Sequence, residues 1–459
     1  MRRTTRRKWI QGMAAGFGYG LCRTSRAQNA RYRLGTFAFD VSPPLGHSLC
    51  GGWIKPAQAY DDRLEAIGFV LLGAGEPIVV CAVDWTGICN SAHVAWRKAM
   101  ADAVGTAPER VAVQSVHQHN APFACLDAQQ IVAQYPELPS IVDVEFFEQC
   151  LQRARNAVQE AVQTARPLTH LAVGQAVVEK VASNRRIVDG QGKLVFWRGS
   201  SSKDPRAAEY PEGLIDPQLR TVAFFSGDEK LVACHYYATH PMSYYGDGRV
   251  SSDFVGLARK RRQQEEPHCR HVYFTGCAGN VAAGKYNDGS PPLRQQLADR
   301  VYDAMRRSED DLRLQPIDKI HWMQEPVLPP PRSVFNAEQL REQIAQPDQP
   351  IVARNRPSYT LAWLERVQRH VPIVLSALHV NSVSLLHLPA ECFVEYQLFA
   401  HQAAPDRFVA VAAYGDGGPW YIPTEEAYPQ GGYEVSVAFC DPPVDRMLRT
   451  AIRHLLAVS

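Results

Sequence analysis

Two histidines separated by one residue lie near the end of the segment SVHQHNAP, residues 115–122. The run that leads into them, RVAVQSVHQH, alternates in the way that is typical of a strand. Side chains two residues apart on a strand project from the same face, so His117 and His119 are expected to point to one place. The alternative is a polar strand end with solvated or hydrogen-bonded histidines.

Other potential metal ligands follow further strand-like runs. His240 ends the run KLVACHYYATH, and Glu391 follows a strand that is expected to break at Pro389 into a helix whose first turn carries this carboxylate. Tyr421 lies in the loop DGGPWYIPTEEAYPQGGYE. Two imidazoles and a carboxylate from separate strand ends, with an aromatic hydroxyl, could complete a zinc site that keeps one position open for water.

Each of these residues also has a purely structural interpretation. His240 precedes a proline and could be a buried histidine bonded to the backbone, and Tyr421 could be a packing residue of an aromatic loop. A carboxylate in the first turn of a helix, as expected for Glu391, is favoured by the helix dipole alone. The residues by themselves leave both interpretations open.

The elements that must position these residues are strand-like runs interspersed with amphipathic helical patterns. This arrangement predicts an α/β (mixed α+β) fold, with large mixed β-sheets flanked by helices. A Pro-rich segment, Glu325–Val334, introduces a helical excursion at about 325–370, which is either the edge of a subdomain or a lid. The last strand and helix reach the C-terminus, so residues 31–459 are expected to form one domain.

The charge distribution separates the N-terminus from the rest of the chain. Residues 1–27 hold seven of the 49 arginines and lysines and none of the 47 acidic residues, which leaves the remainder mildly acidic. Because this basic region precedes a short, Gly-rich apolar stretch, residues 1–30 are predicted to be an export signal, and TRRKWI resembles a twin-arginine motif. The alternative is a Sec-type signal or a disordered basic tail. The acidic remainder predicts no nucleic-acid partner, and it holds no apolar run long enough for a transmembrane segment.

Six segments, in the same order along nearly the whole chain, resemble motifs of the neutral/alkaline (non-lysosomal) ceramidase family, whose members are zinc amidohydrolases. They are SVHQHNAP, ASNRRI (182–187), ATHPMSYYGDG (238–248), SSDFVGLA (251–258), LPAECF (388–393) and YIPTEEAYPQGGYE (421–434). The resemblance implies that residues 31–459 have the fold of that family's catalytic domain. The family's C-terminal immunoglobulin-like domain is not expected here.

Carried over position by position, the resemblance implies one zinc ion per chain and four ligands for it: His117, His240, Glu391 and Tyr421. It implies three catalytic residues: His119, which would hydrogen-bond substrate or the attacking water, Arg185, which would bind a substrate oxygen or hold His119, and Tyr433, which would stabilise the developing oxyanion. Four residues are expected around the ligands or the substrate: Asn120, Asp253, Asn280 and Lys285.

The chain departs from the family at several of these positions. In TGCAGNVAAGKYNDG, Asn280 stands where the family has aspartate, and Ala282 replaces a serine that belongs to the ceramidase active site. Any mechanism that needs this hydroxyl is excluded, whereas a zinc-activated water remains compatible. Asn120 and Ala121 replace Ser-Gly of the family motif, and Lys285 lies in a loop that suits a hydrophilic substrate, or that is simply a turn sequence.

These observations predict an exported zinc-dependent hydrolase, periplasmic or secreted, that cleaves an amide (N-acyl) bond. The alternative is an esterase, deacetylase or lyase that uses the same metal scaffold on a polar, sugar-like substrate. A third hypothesis is a non-catalytic binding protein. The expected partner is a small-molecule, lipid or sugar substrate; ceramide is doubtful because of Ala282 and the missing C-terminal domain, and the sequence specifies neither an oligomeric state nor a disulfide pattern.

Overall fold

The computed structural model describes residues 31–458, so the export signal predicted for residues 1–30 lies outside the described residues. The helices are α1 (Ser91–Val104), α2 (Leu126–Val132), α3 (Val144–Gln163), α4 (Arg206–Glu209), α5 (Asp253–Glu265), α6 (Pro291–Arg307), α7 (Ala337–Ala345), α8 (Ile351–Gln368), α9 (Val394–Ala403), α10 (Ala427–Gln430), α11 (Tyr433–Ser436) and α12 (Val444–Leu456).

The strands are β1 (Arg33–Asp40), β2 (Ala59–Tyr60), β3 (Glu65–Leu72), β4 (Ile78–Val83), β5 (Gly87–Cys89), β6 (Val111–Ser115), β7 (Phe123–Cys125), β8 (Arg166–Pro167), β9 (His170–Val177), β10 (Ser183–Asn184), β11 (Arg186–Val188), β12 (Leu194–Trp197), β13 (Gln218–Ser226), β14 (Glu229–Tyr237), β15 (Arg249–Val250), β16 (Arg270–Thr275), β17 (Val281–Ala282), β18 (Gln315–Pro316), β19 (Ile320–Val327), β20 (Ile373–Val380), β21 (Val383–His387), β22 (Glu391–Cys392), β23 (Phe408–Ala412) and β24 (Tyr421–Ile422).

Three large mixed sheets form the framework, as the sequence predicted. Their strand orders are β6-β4-β3-β1-β8, β16-β14-β13-β9-β18 and β19-β20-β21-β23. Each sheet combines antiparallel pairs with one parallel pair, namely β4 with β6, β14 with β16, and β21 with β23. The segments that carry the candidate ligands all follow strands of these parallel pairs.

The three sheets share one core. Every residue of β4 and of β6 is buried, as expected for strands covered on both faces. The rings of Phe69 in β3 and Phe224 in β13 lie 5.7 Å apart and join the first two sheets. One continuous cluster of buried apolar side chains reaches from Tyr32 to Leu456. The ends of the parallel strands are therefore held against one another by packing.

The helices follow local sequence signals. Asp143 caps α3 by accepting a hydrogen bond from the backbone N–H of Phe146, and Asn336 caps α7 in the same way. Pro291 occupies the first turn of α6, where no intrahelical N–H is needed. Helices α7 and α8 form the helical excursion that follows the Pro-rich segment, and α8 contains Pro357.

Two expectations about the backbone at the candidate ligands are wrong. Strand β6 ends at Ser115 and His117 has a φ of 77°, so the two histidines lie in a loop and not on one face of a strand. Glu391 lies in β22, and α9 begins only at Val394. Ala390 has a φ of 49°, which places Glu391 beside β24 before the helix can start.

The described residues contain ten cysteines, and all of them are buried free thiols. They are dispersed through the core, as expected of small apolar residues. Within residues 31–458, no helix has both the length and the apolar character that crossing a membrane requires.

Candidate metal centre

The structure brings together the four side chains that the resemblance implies as ligands. His117 follows β6, His240 follows β14, Glu391 forms β22 and Tyr421 forms β24. Strands β22 and β24 are parallel, with Glu391 directly paired to Tyr421, so a two-residue sheet sets the carboxylate beside the phenol. Side chains from three regions of the chain, each more than 100 residues from the next, thus reach one point.

Three acceptor atoms converge at the centre. His117 Nε2 lies 3.2 Å from His240 Nε2. Glu391 Oε2 lies 3.2 Å from His117 Nε2 and 3.1 Å from His240 Nε2. Tyr421 Oη lies 3.4 Å from His240 Nε2. All four residues are buried, and Glu391 is the most exposed of them at 8%.

The backbone fixes which ring nitrogen of each histidine faces this point. His117 Nδ1 donates to the carbonyl oxygen of Thr86 and His240 Nδ1 to that of Ala278, both at 2.6 Å. A carbonyl only accepts hydrogen bonds, so the neutral rings carry their proton on Nδ1 and turn the Nε2 lone pair inward. Backbone carbonyls orient metal-binding histidines in the same way.

The donor set fits a divalent zinc ion. Lone pairs that face one another at 3.1–3.2 Å repel unless a cation lies between them. Ligands bound tetrahedrally at about 2.0–2.1 Å are separated by roughly 3.3 Å, close to the observed spacings. Two imidazoles with a carboxylate and a tyrosine oxygen are donors of the type that zinc accepts.

Charge and burial set the protonation states around the centre. Burial lowers the pKa of His240, although its hydrogen bond to Glu391 acts in the opposite direction. Burial alone would raise the pKa of Glu391, but the neighbouring His117 and His240 outweigh it and hold this pKa well below its usual value. Glu391 is therefore held as a carboxylate, which is the form that binds a metal.

His119 lies at the same centre. Its ring is 5.0 Å from that of His117 and stacks at 5.8 Å on that of His240. Ligand atoms of these three histidines lie within 4.8 Å of one another, so the geometry also allows His119 as a third imidazole ligand. Burial, helped by the two neighbouring imidazoles, lowers the pKa of His119 well below its usual value, and the ring is neutral.

Arg185 and Tyr433 lie next to Tyr421 on one side of the centre. The Arg185 guanidinium donates to Tyr421 Oη at 3.0 Å, and it lies 5.4 Å from the ring of Tyr433. The rings of Tyr421 and Tyr433 meet edge to face at 5.8 Å. Tyr433 is 37% exposed, whereas Arg185 is buried. A cation and a phenol thus face the same space.

Sequence reasoning missed Glu434, the residue that holds Arg185 in place. Glu434 is completely buried, and its carboxylate lies 3.2 Å from Arg185 Nε and 3.2 Å from an Arg186 nitrogen. Trp197 Nε1 also donates to it, at 2.8 Å. Its position directly after Tyr433 in the motif-like segment was the only available signal.

Two further aromatic residues at the centre were not predicted. Tyr414 stacks on His117 with ring centroids 4.2 Å apart, and the Tyr245 ring lies 5.5 Å from that of His119. Tyr414 follows the end of β23. Its position directly after a strand, which singled out His117 and His240, could therefore have identified it too. Tyr245 lies in the loop after His240, where sequence alone gives no reason to single it out.

The remaining predicted residues support the surrounding loops. Asn120 Oδ1 accepts from the backbone N–H of Gly246, and Asp253 accepts from that of Ser243 and faces Arg294 at 3.6 Å. These contacts fix the loop that follows His240. Neither side chain is bonded to an imidazole, and their predicted roles stay predictions.

Asn280 and Lys285 bind protein groups beside the centre. The Asn280 side chain accepts from Val394 at the start of α9 and donates to Glu395, while its backbone oxygen accepts from Arg185 N–H at 2.7 Å. Lys285 Nζ donates to the carbonyls of Ala208 and Tyr210 at the end of α4. Ala282 is fully buried in β17, opposite Ser183 of β10.

The backbone near the candidate ligands adopts unusual conformations. His117 itself has a positive φ, as do Ala390 before Glu391 and Trp420 before Tyr421, at 49° and 64°. Non-glycine residues rarely take this conformation, and it is found preferentially at functional sites where surrounding structure enforces it. Packing thus holds three of the four ligand segments in place at some conformational cost.

Comparison with known proteins gives structural matches only. No family model matches the chain, and no curated protein matches it. Neutral ceramidase from Pseudomonas aeruginosa is similar in structure, with a TM-score of 0.68, 16% sequence identity, and coverage of 93% of this chain and 74% of that chain. A ceramidase complexed with C2 is similar at a TM-score of 0.66 and 15% identity, over 93% of this chain and 75% of that one. The chain therefore has a neutral ceramidase-like fold, which confirms the fold that the resemblance implied.

Proposed function

We propose that the chain is an exported zinc-dependent hydrolase of the neutral ceramidase type, which cleaves an amide (N-acyl) bond. The observation that supports this most strongly is the triangle of acceptor atoms from His117, His240 and Glu391, with edges of 3.1–3.2 Å. Each imidazole donates its Nδ1 proton to a carbonyl, so a neutral ring has no second proton with which to hold this triangle together. A divalent cation does account for it.

His117, His240, Glu391 and Tyr421 would hold the ion. Zinc in such a site supplies a Lewis acid for the acyl carbonyl and an activated water at neutral pH. The two backbone carbonyls that accept from the imidazoles keep the ligand nitrogens turned inward while substrate binds and leaves.

Arg185 and Tyr433 are placed to stabilise the oxygen on which negative charge develops. Arg185 keeps its positive charge because Tyr421 and Glu434 outweigh the desolvation of the guanidinium and raise its pKa. The Tyr433 hydroxyl is protonated at neutral pH, since burial raises its pKa. Two donors aimed at one oxyanion commonly contribute several kcal/mol to a barrier.

His119 is the group placed to move protons. Its ring is neutral, and its buried Nδ1 has no hydrogen-bond partner among residues 31–458. A neutral imidazole beside the scissile bond accepts a proton from the attacking water and returns it to the leaving amine. In this proposal the proton passes through His119 and not through the hydroxyl that Ala282 lacks.

The test is metal content and turnover measured on the same protein. The purified wild-type chain is expected to hold one zinc ion by elemental analysis, and chelation is expected to abolish hydrolysis of an N-acyl substrate. The variant Glu391→Gln removes the ligand charge with almost no change of shape, and it should lose both zinc and activity. The control His268→Ala changes an exposed histidine away from the centre and should retain both. A wild-type protein that takes up no zinc in zinc-replete medium would refute the proposal.

A second candidate function uses the same scaffold on a polar substrate, as an esterase, deacetylase or lyase. Ala282 favours this second function, because the family serine is absent. Polar groups in the cavity beside the centre favour it as well. A panel of N-acylsphingosines, N-acetylated sugars and acylated uronic sugars distinguishes the two. Turnover of an N-acylsphingosine at ordinary enzyme rates would exclude the second candidate.

A further inference from the structure

A cavity of about 760 Å³ opens beside the candidate metal centre. Its walls come from the loop after β1, from residues 139–141, from Tyr245 and Gly246, and from the start of α8. Tyr245 belongs to both sites, since it lines the cavity and its ring lies 5.5 Å from His119. The volume is typical of small-molecule sites. A substrate whose scissile bond lies at the metal centre would therefore extend into this cavity.

The floor of the cavity carries polar groups without partners. Asn355 on α8 is completely buried, and neither its amide nitrogen nor its amide oxygen has a hydrogen-bond partner in the described part of the chain. The buried Nε1 of Trp53 is in the same situation. Leaving a buried polar group unpaired costs roughly 1–3 kcal/mol, so such groups commonly serve a ligand.

The cavity is also electropositive. Lys55 lies in its wall, and the Arg356 guanidinium lies 5.4 Å from the centroid of the Trp53 ring. None of the described residues that line the cavity is acidic. Glu137, close to the wall segment 139–141, is already paired with Arg354. Among residues 31–458, no carboxylate forms an ion pair with Lys55 of the wall or with Arg356, which lies over the Trp53 ring next to the cavity.

Helix α8 adds to this field. Ile351 and Val352 of its first turn line the cavity, and this turn contains no acidic residue. The free N–H groups of a helix N-terminus attract anions. The positive charge of Arg356 also reaches the centre, because it opposes the rise in the pKa of Tyr433 and of Tyr245 that burial causes.

We infer that this cavity binds an anionic oxygen group, a carboxylate or a sulfate ester, carried by a polar hydroxylated substrate. Arg356 and Lys55 bind the anion, Asn355 and Trp53 hydrogen-bond the hydroxylated body, and Tyr245 lies between the cavity and the metal centre. The inference rests on the proposed function, since it assigns the part of the substrate that lies beyond the bond being cleaved. The helical excursion then has a role, because α8 supplies one wall of the cavity.

The test measures binding directly, without turnover. Glucuronate, glucose 6-sulfate and glucose are titrated into the full-length protein by calorimetry, and the quenching of tryptophan fluorescence serves as a second readout. At least one of the two anions is expected to bind about tenfold more tightly than glucose, and to weaken as salt is raised. Comparison of the two anions shows which group the cavity prefers.

The variants Arg356→Gln and Lys55→Gln should each reduce the affinity for the anion by about tenfold and leave that for glucose unchanged. Arg306→Gln, at an exposed arginine on α6, removes the same charge away from the cavity and should leave both affinities unchanged. Asn355→Asp places a negative charge on the floor with little change of shape, and should abolish anion binding. Circular dichroism establishes that each variant is folded.

The inference is overturned if both anions bind no better than glucose, or if the Arg356 and Lys55 variants bind like the Arg306 control. Zinc content, measured on the same samples, separates this result from a failure of the proposed function. If the protein binds glucuronate through Arg356 but holds no zinc, the anion site is supported and the hydrolase proposal fails. If the protein holds zinc and hydrolyses an N-acyl substrate but shows no preference for anions, only the anion-site inference fails.

Discussion

Glu434 provides the sharpest test of how the centre is held together, because it touches no candidate ligand and yet controls Arg185. Its carboxylate lies 3.2 Å from Arg185 Nε and 3.2 Å from an Arg186 nitrogen, and it accepts from Trp197 Nε1 at 2.8 Å. Trp197 and Arg186 donate hydrogen bonds to it, and Arg185 forms an ion pair with it. The substitution Glu434→Gln keeps the shape of the side chain and replaces one acceptor oxygen with a donor.

The cost follows from this geometry. One oxygen of Glu434 faces Arg185 and Trp197, and the other faces Arg186. Whichever way the amide of glutamine is turned, its NH₂ group meets a donor, and two buried guanidinium groups lose their counter-charge. Breaking a buried ion pair on one side typically costs about 3–5 kcal/mol. For a chain of this size, that corresponds to a fall in Tm of roughly 5 °C.

Two measurements on the same variant check this reasoning. Thermal unfolding should show the lower Tm, and activity should fall by about a hundredfold because Arg185, the proposed oxyanion donor, loses the carboxylate that positions it. Zinc content should remain that of the wild type, since Glu434 is not among the candidate ligands. The matched control Glu425→Gln, at an exposed glutamate near α10, should change none of these quantities. A variant with unchanged Tm and activity would refute the positioning role of Glu434.

The other predictions concern His119 and Asp416. His119→Asn should retain one zinc ion and lose about 10²–10⁴-fold in kcat, as expected for a proton-transfer group, whereas loss of zinc would identify His119 as a ligand. Asp416 is buried and forms an ion pair with Arg366 at 2.6 Å. Burial would raise the pKa of Asp416, but Arg366 and His93 outweigh it and lower this pKa. Asp416 therefore stabilises the fold above about pH 4, and the stabilisation is lost as pH falls further. Acid titration of Asp416→Asn, monitored by circular dichroism, should show a less stable protein at neutral pH and a smaller further loss in acid.

The fold was predictable because its signals are local or ordered along the chain. Runs such as that of β4 are buried on both faces and are apolar throughout, and the helices carry recognisable caps such as Asp143. The order of the motif-like segments along the chain also indicated which known fold the chain resembles. His117, His240 and Glu391 could be identified as a group because each follows a strand, and strands that lie together bring their ends together.

The details that failed depend on partners far away in sequence. The apolar pattern of ECFVEYQLF predicted a helix from Glu391 onward, but Glu391 pairs with Tyr421 in β22 and β24, and the helix starts three residues later. The role of Glu434 depends on Arg185, about 250 residues earlier in the chain. No local sequence pattern predicts the cavity, because four separate parts of the chain line it.

The centre combines two features that each cost energy, namely strained backbone at the ligand segments and acceptor atoms that face one another. Positive φ values at His117, Ala390 and Trp420 hold the ligand segments in conformations that these residues rarely adopt. Fixed hydrogen bonds from both Nδ1 atoms then turn two lone pairs toward a carboxylate at 3.1–3.2 Å. The packed sheets enforce this arrangement, and a bound cation would convert the repulsion among the acceptors into attraction. Metal binding should therefore stabilise the fold as well as enable the chemistry, because the same contacts that cost energy without an ion become its coordination shell.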